Sequence, residues 1–231
     1  MACECQKSPP DISDAFCVLS SPMSKIYQVV SIRRDVRTLG NPAAVKHHVA
    51  MRDLVITQNI TVDGVIEATD DWFQRAGGDP ELDSALAAFR DASDGFLVGR
   101  MTFEAMRDYW GALTDDTTGV TDHLDRVAKY VVSSTLDNPR WDNTTVLSGD
   151  LTEDIAQIKS AAGSDIVCTG SIGLCRDLIG AGLVDEYRLF TYPYARGSGQ
   201  RLFDGTPPQA LTLLESRAFP SGATLTRYRV S

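Results

Sequence analysis

Gly95-Phe96-Leu97-Val98-Gly99-Arg100-Met101-Thr102-Phe103-Glu104 is the stretch that decides the fold. Phe96, Leu97 and Val98 form a short apolar run between two glycines, with no polar alternation. A strand covered on both faces reads this way. Arg100 follows the second glycine without a linker, and Phe103 and Met106 point inward from a helix expected over residues 100–109. Reading outward, the same alternation repeats. Leu54 to Ile60 is strand-like, Thr61-Val62-Asp63-Gly64 turns the chain, and Val65 to Ala68 is a short extended piece. Asp79-Pro80-Glu81 opens a helix, with a cap, a proline in the first turn and an early acid, and Leu82, Leu86 and Phe89 fall on one stripe. Residues 112–123 are polar and lead into a short helix. Strands follow at 129–134 and 144–147, a helix from Leu151 to a stop at Gly163, a strand at 165–169, a helix capped by Ser171, and a long strand at 184–192. The chain ends in two strands, 210–219 and 223–230, about a Pro220-Ser221-Gly222 turn. The expected order is βαβαββαβαβ and then a hairpin. This is an α/β fold: a mixed, mostly parallel sheet with a C-terminal antiparallel hairpin and helices on both faces.

The 231 residues carry a net charge of −9, which argues against a protein that works on nucleic acid or on an anionic membrane surface. The total hides a seam. Residues 1–50 hold six basic and four acidic residues, which leaves 16 and 27 for residues 51–231, or −11. The first segment also holds three of the five cysteines and is broken by Pro9, Pro10, Pro22 and Pro42. It reads as a poorly structured leader that need not belong to the native domain, with the folded unit at 51–231. Cys3 and Cys5 are spaced too tightly for a usual zinc knuckle, so no metal is expected. An odd cysteine count without a framework suits a reducing, cytoplasmic setting.

Ligands of such sheets bind beyond the carboxyl ends of the strands, and three junctions there carry chemistry. At Gly99-Arg100-Met101-Thr102 a glycine allows close approach to backbone N–H groups, and an arginine and a hydroxyl can bind phosphate. Ser133 and Ser134 add two hydroxyls at a neighbouring strand end. An arginine with two hydroxyls suits an adenosine 2′-phosphate. Thr169-Gly170-Ser171-Ile172 is a turn opening a helix, a seat for a pyrophosphate. The six-residue glycine fingerprint of ordinary dinucleotide folds is absent, as are a P-loop lysine, a nucleophile elbow and the zinc-deaminase signature.

Taken in order, Asn59 to Ile66, Gly99 to Glu104, Val132-Ser133-Ser134, Gly170-Ser171 and Gly182-Leu183-Val184-Asp185-Glu186 resemble the dihydrofolate-reductase-like superfamily. Within it the chain is similar to the reductase domain of the bifunctional riboflavin-biosynthesis deaminase-reductase. The resemblance spans residues 52–231 and implies an NADPH-dependent reductase with a small planar heterocycle as substrate. It implies that Gly99, Arg100, Met101 and Thr102 line the adenine-side phosphates and that Ser133 and Ser134 approach the 2′-phosphate. Thr169, Gly170, Ser171 and Ile172 would cover the pyrophosphate and nicotinamide, and Val62-Asp63-Gly64 would belong to a loop that closes over the ring. It also implies a homodimer built through the C-terminal strands. The pattern departs at Met106, where the riboflavin-pathway reductases carry an aspartate. Asp63, Asp83 and Glu67 remain as candidate acids. A protein that binds the nucleotide without turnover is the alternative.

Overall fold

The computed structural model describes residues 51–68, 72–73 and 78–231. The proposed leader, residues 1–50, lies outside them. Eight strands form one sheet: β1 (Leu54–Thr61), β2 (Ser93–Gly99), β3 (Ala128–Val132), β4 (Thr144–Leu147), β5 (Asp165–Cys168), β6 (Glu186–Tyr192), β7 (Leu211–Ala218) and β8 (Thr224–Val230). The helices are α1 (Pro80–Asp91), α2 (Arg100–Trp110), α3 (Val120–Arg126), α4 (Leu151–Ser160) and α5 (Ile172–Gly180). The strand order is β4-β3-β2-β5-β1-β6-β8-β7. Pairing is parallel from β4 to β6 and antiparallel for β6–β8 and β8–β7. The expected element order and both-face covering hold. Val65 to Ala68 makes no strand; Val65 forms only an isolated bridge to Arg201.

The side-chain period of two sorts the core. On one face Leu54, Ile56, Leu97, Ile166 and Cys168 meet Ile155 and Ile158 of α4 and Leu174 and Leu178 of α5. On the other, Phe96, Val98 and Val131 pack under Phe103, Met106 and Trp110 of α2 and Leu124 of α3. Farther along that second face, Phe190, Tyr192 and Leu225 meet Leu82 and Leu86 of α1. Because β2 has apolar residues toward both layers, Phe96, Leu97 and Val98 are almost wholly buried, as the unbroken run requires.

Helix starts differ in a way that bears on the site. Asp79 caps α1 by accepting from the Glu81 and Leu82 amides, and Asp150 does the same for α4 from Thr152 and Glu153. Gly99 and Ser171 stand at the cap positions of α2 and α5, and neither supplies a side-chain cap. The expected Ser171 cap is therefore corrected. Its backbone is left-handed, φ 33° and ψ 56°, and turns the hydroxyl away from the helix it precedes.

Candidate functional site

The strand order places β5 between β2 and β1, so the carboxyl ends of β2 and β5 are neighbours. The Gly99 N–H donates to Ser171 Oγ at 2.9 Å, and the Ser171 N–H donates to Thr102 Oγ1 at 3.1 Å. Two sequence-distant junctions thus become one structure, with the starts of α2 and α5 side by side. Each helix leaves its first amides without intrahelical partners, and here no side chain caps them. Gly170 has φ +65°, and a Cβ there would lie 3.1 Å from Thr102 Cγ2, so glycine is needed for both conformation and space. From below, the buried Gln58 donates to the Gly170 carbonyl at 2.9 Å and holds the turn.

Arg100 leans along the sheet edge to the loop after β3. Its Nη1 donates to Thr135 Oγ1 at 2.8 Å and to the Thr135 carbonyl at 3.2 Å, while Nε pairs with Glu104 at 3.0 Å. Ser133, just past β3, accepts from the Thr135 and Leu136 amides and so shapes that loop, and Ser134 is exposed. Met101 is 86% exposed at the start of α2, unusual for a methionine beside a core. The edge therefore presents an arginine, several hydroxyls, orphan amides and an exposed apolar side chain together.

Beside this edge, between α1 and the sheet, lies a slot. Thr57, Asn59, Val167, Thr169 and Phe190 form its floor, and Leu86, Phe89 and Arg90 its roof. Thr169 belongs to both the slot and the Gly170-Ser171 turn. No carboxylate lines it. Its cavity volume is about 30 Å³, room for one or two waters.

The candidate acids lie elsewhere. Asp63 accepts from Thr61 Oγ1 at 2.6 Å and from the Arg196 and Gly197 amides at 3.1 and 2.8 Å. These bonds, the Thr61 hydroxyl first, hold its pKa down to about 2. It is thus an ionised clasp between the 61–65 turn and residues 196–197, poorly suited to donate a proton near neutrality. Glu67 is likewise lowered, first by its hydrogen bond from Arg196. Asp83 is not among the slot's lining; its charge is felt by Tyr192, whose phenol is raised chiefly by burial. Met106, at the departure from the family pattern, is 1% exposed on the inner face of α2 and packs with Phe103 and Trp110.

The sequence reading did not single out Thr57, Gln58, Arg90 or Arg188, and it used Asn59 only as the start of a family motif. A signal existed for some of them. Thr57, Gln58 and Asn59 are three consecutive polar residues between the apolar Leu54-Val55-Ile56 and Ile60 of a central strand, and Arg188 is a charge in the middle of another. Polar groups in such places need a reason.

A mixed sheet of this order, with helices on both faces and an open carboxyl edge, is a dihydrofolate-reductase-like fold. The sequence profile described as the RibD C-terminal domain matches residues 52–225, and the chain belongs to that family. It is 27% identical over 178 residues to the uncharacterized protein YyaP of Bacillus subtilis strain 168, covering 76% of this chain and 94% of that one. A putative riboflavin biosynthesis protein from Shewanella sp. PV-4 superposes with TM-score 0.62 at 17% identity, covering 78% and 99% of the two chains. A dihydrofolate reductase from Enterococcus faecalis, solved with NADP(H), superposes with TM-score 0.52 at 16% identity over 78% and 96%.

Proposed function

We propose that this chain is an NADPH-dependent reductase that passes a hydride to a small planar heterocycle, in the manner of the uracil reductase of riboflavin biosynthesis or of dihydrofolate reductase. The observation that carries the reading is the junction of Gly99, Thr102 and Ser171, where two helix starts without side-chain caps meet beside Arg100 and beside a ring-walled slot. The residues fit a dinucleotide. The amides opening α2 and α5 are oriented for a pyrophosphate, and Gly170 keeps the approach clear of a Cβ. Arg100, Ser133 and Ser134 suit a 2′-phosphate, and Met101 offers an apolar surface to the adenine. When bound, the cofactor supplies the hydride. The protein's own part is to hold it along the edge and to keep the slot beside Thr169 for the acceptor. With no carboxylate in the slot, the proton that completes a reduction comes from water held by Thr57, Asn59 or Thr169.

Fluorescence titration tests this. NADPH should bind more tightly than NADH, and Arg100→Ala should weaken NADPH about tenfold while leaving NADH nearly unchanged, because the lost bond is charge-assisted. Equal affinities for the two, or no binding, would sink the reading. The second reading, nucleotide binding without turnover, draws on the slot's lack of a carboxylate and on the burial of Met106. Steady NADPH oxidation with any member of a pterin, pyrimidine and quinone panel would eliminate it. The protein is further read as cytoplasmic, which suits Cys168 and Cys175, free thiols among the described residues. Among the described residues no helix is long and apolar enough to cross a membrane. A second copy of the chain is the expected partner, through the outer strand β7.

A further inference from the structure

The slot between α1 and the sheet has a chemical polarity of its own. Four buried side-chain polar atoms among the described residues find no hydrogen-bond partner, and two of them, Thr57 Oγ1 and Arg188 Nη1, belong to residues directly opposite each other on β1 and β6. Buried polar atoms are nearly always satisfied, so two neighbours left open point to a common function. Thr57 lines the slot floor. Arg188 is 4% exposed and lies under Phe89, with its guanidinium carbon 4.7 Å from the ring centroid. Its other nitrogens are committed: Nε to Glu186 at 2.7 Å and Nη2 to Asp165 at 2.6 Å. Those two carboxylates offset its charge and fix the plane of the fork, which leaves Nη1 as a donor with one job. Arg188 lies just beyond the slot lining, beside Thr57 and beneath Phe89, both of which do line it; Arg90 is in the lining, and the lining holds no carboxylate.

We infer that the slot selects planar ligands that carry a hydrogen-bond-accepting oxygen on their leading edge, seated between Phe89 and the floor, with Arg188 Nη1 and Thr57 Oγ1 as the selecting donors. Thr57 Oγ1 can also accept, but Arg188 cannot, so a carbonyl, nitro or carboxylate oxygen satisfies both. An amidinium or diamino edge presents only donors, which Arg188 Nη1 cannot accept, so it leaves that atom unsatisfied. As a statement about the reductase substrate, this rests on the proposed function: the acceptor oxygen would lie on the ring that receives the hydride beside Thr169. The cavity is too small for a ring with its walls at rest. Phe89, half-buried at the roof, is the wall that turns aside on binding.

Benzoate, benzamide and benzamidine share a shape and differ in this edge, so they test the inference on the isotope-labelled full chain by NMR titration. Benzoate and benzamide should give saturable shifts at Thr57 and Phe89, and benzamidine should give none at tenfold higher concentration. Thr57→Val, which exchanges a hydroxyl for a methyl, and Arg188→Lys should each weaken benzoate at least fivefold. If Arg188→Lys perturbs the fold through Glu186, Thr57→Val still decides. Benzamidine binding as well as benzoate, no saturable shift from any of the three, or benzoate affinity untouched by Thr57→Val would each overturn the inference. NADPH binding is measured on the same samples. Its failure with benzoate still bound would remove the reductase reading alone; its success with no benzoate bound would remove the slot's selectivity alone.

Discussion

His123 shows how one buried side chain links the fold to solution conditions. It lies on α3, 9% exposed, and burial together with the nearby Arg90 charge lowers its pKa from 6.5 to about 4, against a smaller opposing pull from Asp91. The folded ring stays neutral down to about pH 4, whereas the unfolded chain protonates it near 6.5. Between those values the unfolded state binds the extra proton, so stability falls as pH falls. From pH 7 to pH 5 this group should remove about 2 kcal/mol. Asp63 and Asp116, both held to about 2, act lower: their contribution is present above the usual carboxylate range and is lost as pH falls toward 2. Urea midpoints at pH 7 and pH 5 should therefore differ clearly in the wild type, and His123→Leu should remove most of that difference. An unchanged difference in the variant would assign the pH response to other groups. The sequence placed His123 in a polar loop and offered no sign of this burial, because the helix that carries it has only seven residues and a left-handed glycine at its start.

At the scale of elements, strands and helices were legible wherever an apolar period ran unbroken. The Gly95–Glu104 stretch gave the strand-to-helix passage, and Asp79-Pro80 gave the start of α1, because each depends on local chemistry alone. What was not legible depends on contacts between distant segments. Ser171 satisfies every local rule for a cap, yet its hydroxyl serves Gly99 across the sheet edge. The slot needs Thr57, Phe89 and Thr169 at once, and no spacing within any one element reports that meeting. The Gly170-Ser171 turn gives the sharpest test at this level, since it holds two consecutive residues at positive φ. Gly170→Ala brings a Cβ to 3.1 Å from Thr102 Cγ2 at φ +65°, and the strain should cost about 1–2 kcal/mol. It should also pull Ser171 off Gly99 and Thr102 and weaken NADPH at least tenfold. A variant with wild-type stability and NADPH affinity would mean that the turn tolerates a side chain and does not shape the site.

The whole molecule combines an acidic surface with a proposed polyanionic cofactor, and the geometry reconciles them. A unit of −11 over residues 51–231 gives no general attraction to phosphate, so the proposed binding would rely on local donors: Arg100, the hydroxyls and the starts of α2 and α5. The same long view leaves one edge of the sheet unaccounted for. β7 is one of the two edge strands, opposite β4, and Leu211, Leu213 and Leu214 on it are 38%, 55% and 45% exposed. Phe203, packed edge-on to Tyr187 at 5.3 Å, is 40% exposed. Bare edge strands are hazardous, and soluble proteins shield them with charge, bulges or a partner. Here a bulge falls between Leu213 and Glu215, and Arg217 is paired away to Glu81, yet the leucines stay open. A second copy of the chain covering this edge would bury them, each contributing about 1 kcal/mol beyond its present burial. Sedimentation equilibrium of the full chain should then give twice the chain mass at micromolar concentration. Leu213→Glu places a charge at the centre of the contact and should yield a folded monomer, because this side chain is half-exposed and supports little of the core. A wild-type chain that sediments as a monomer, or a Leu213→Glu variant that still pairs, would show that β7 is protected by its bulge and charges alone.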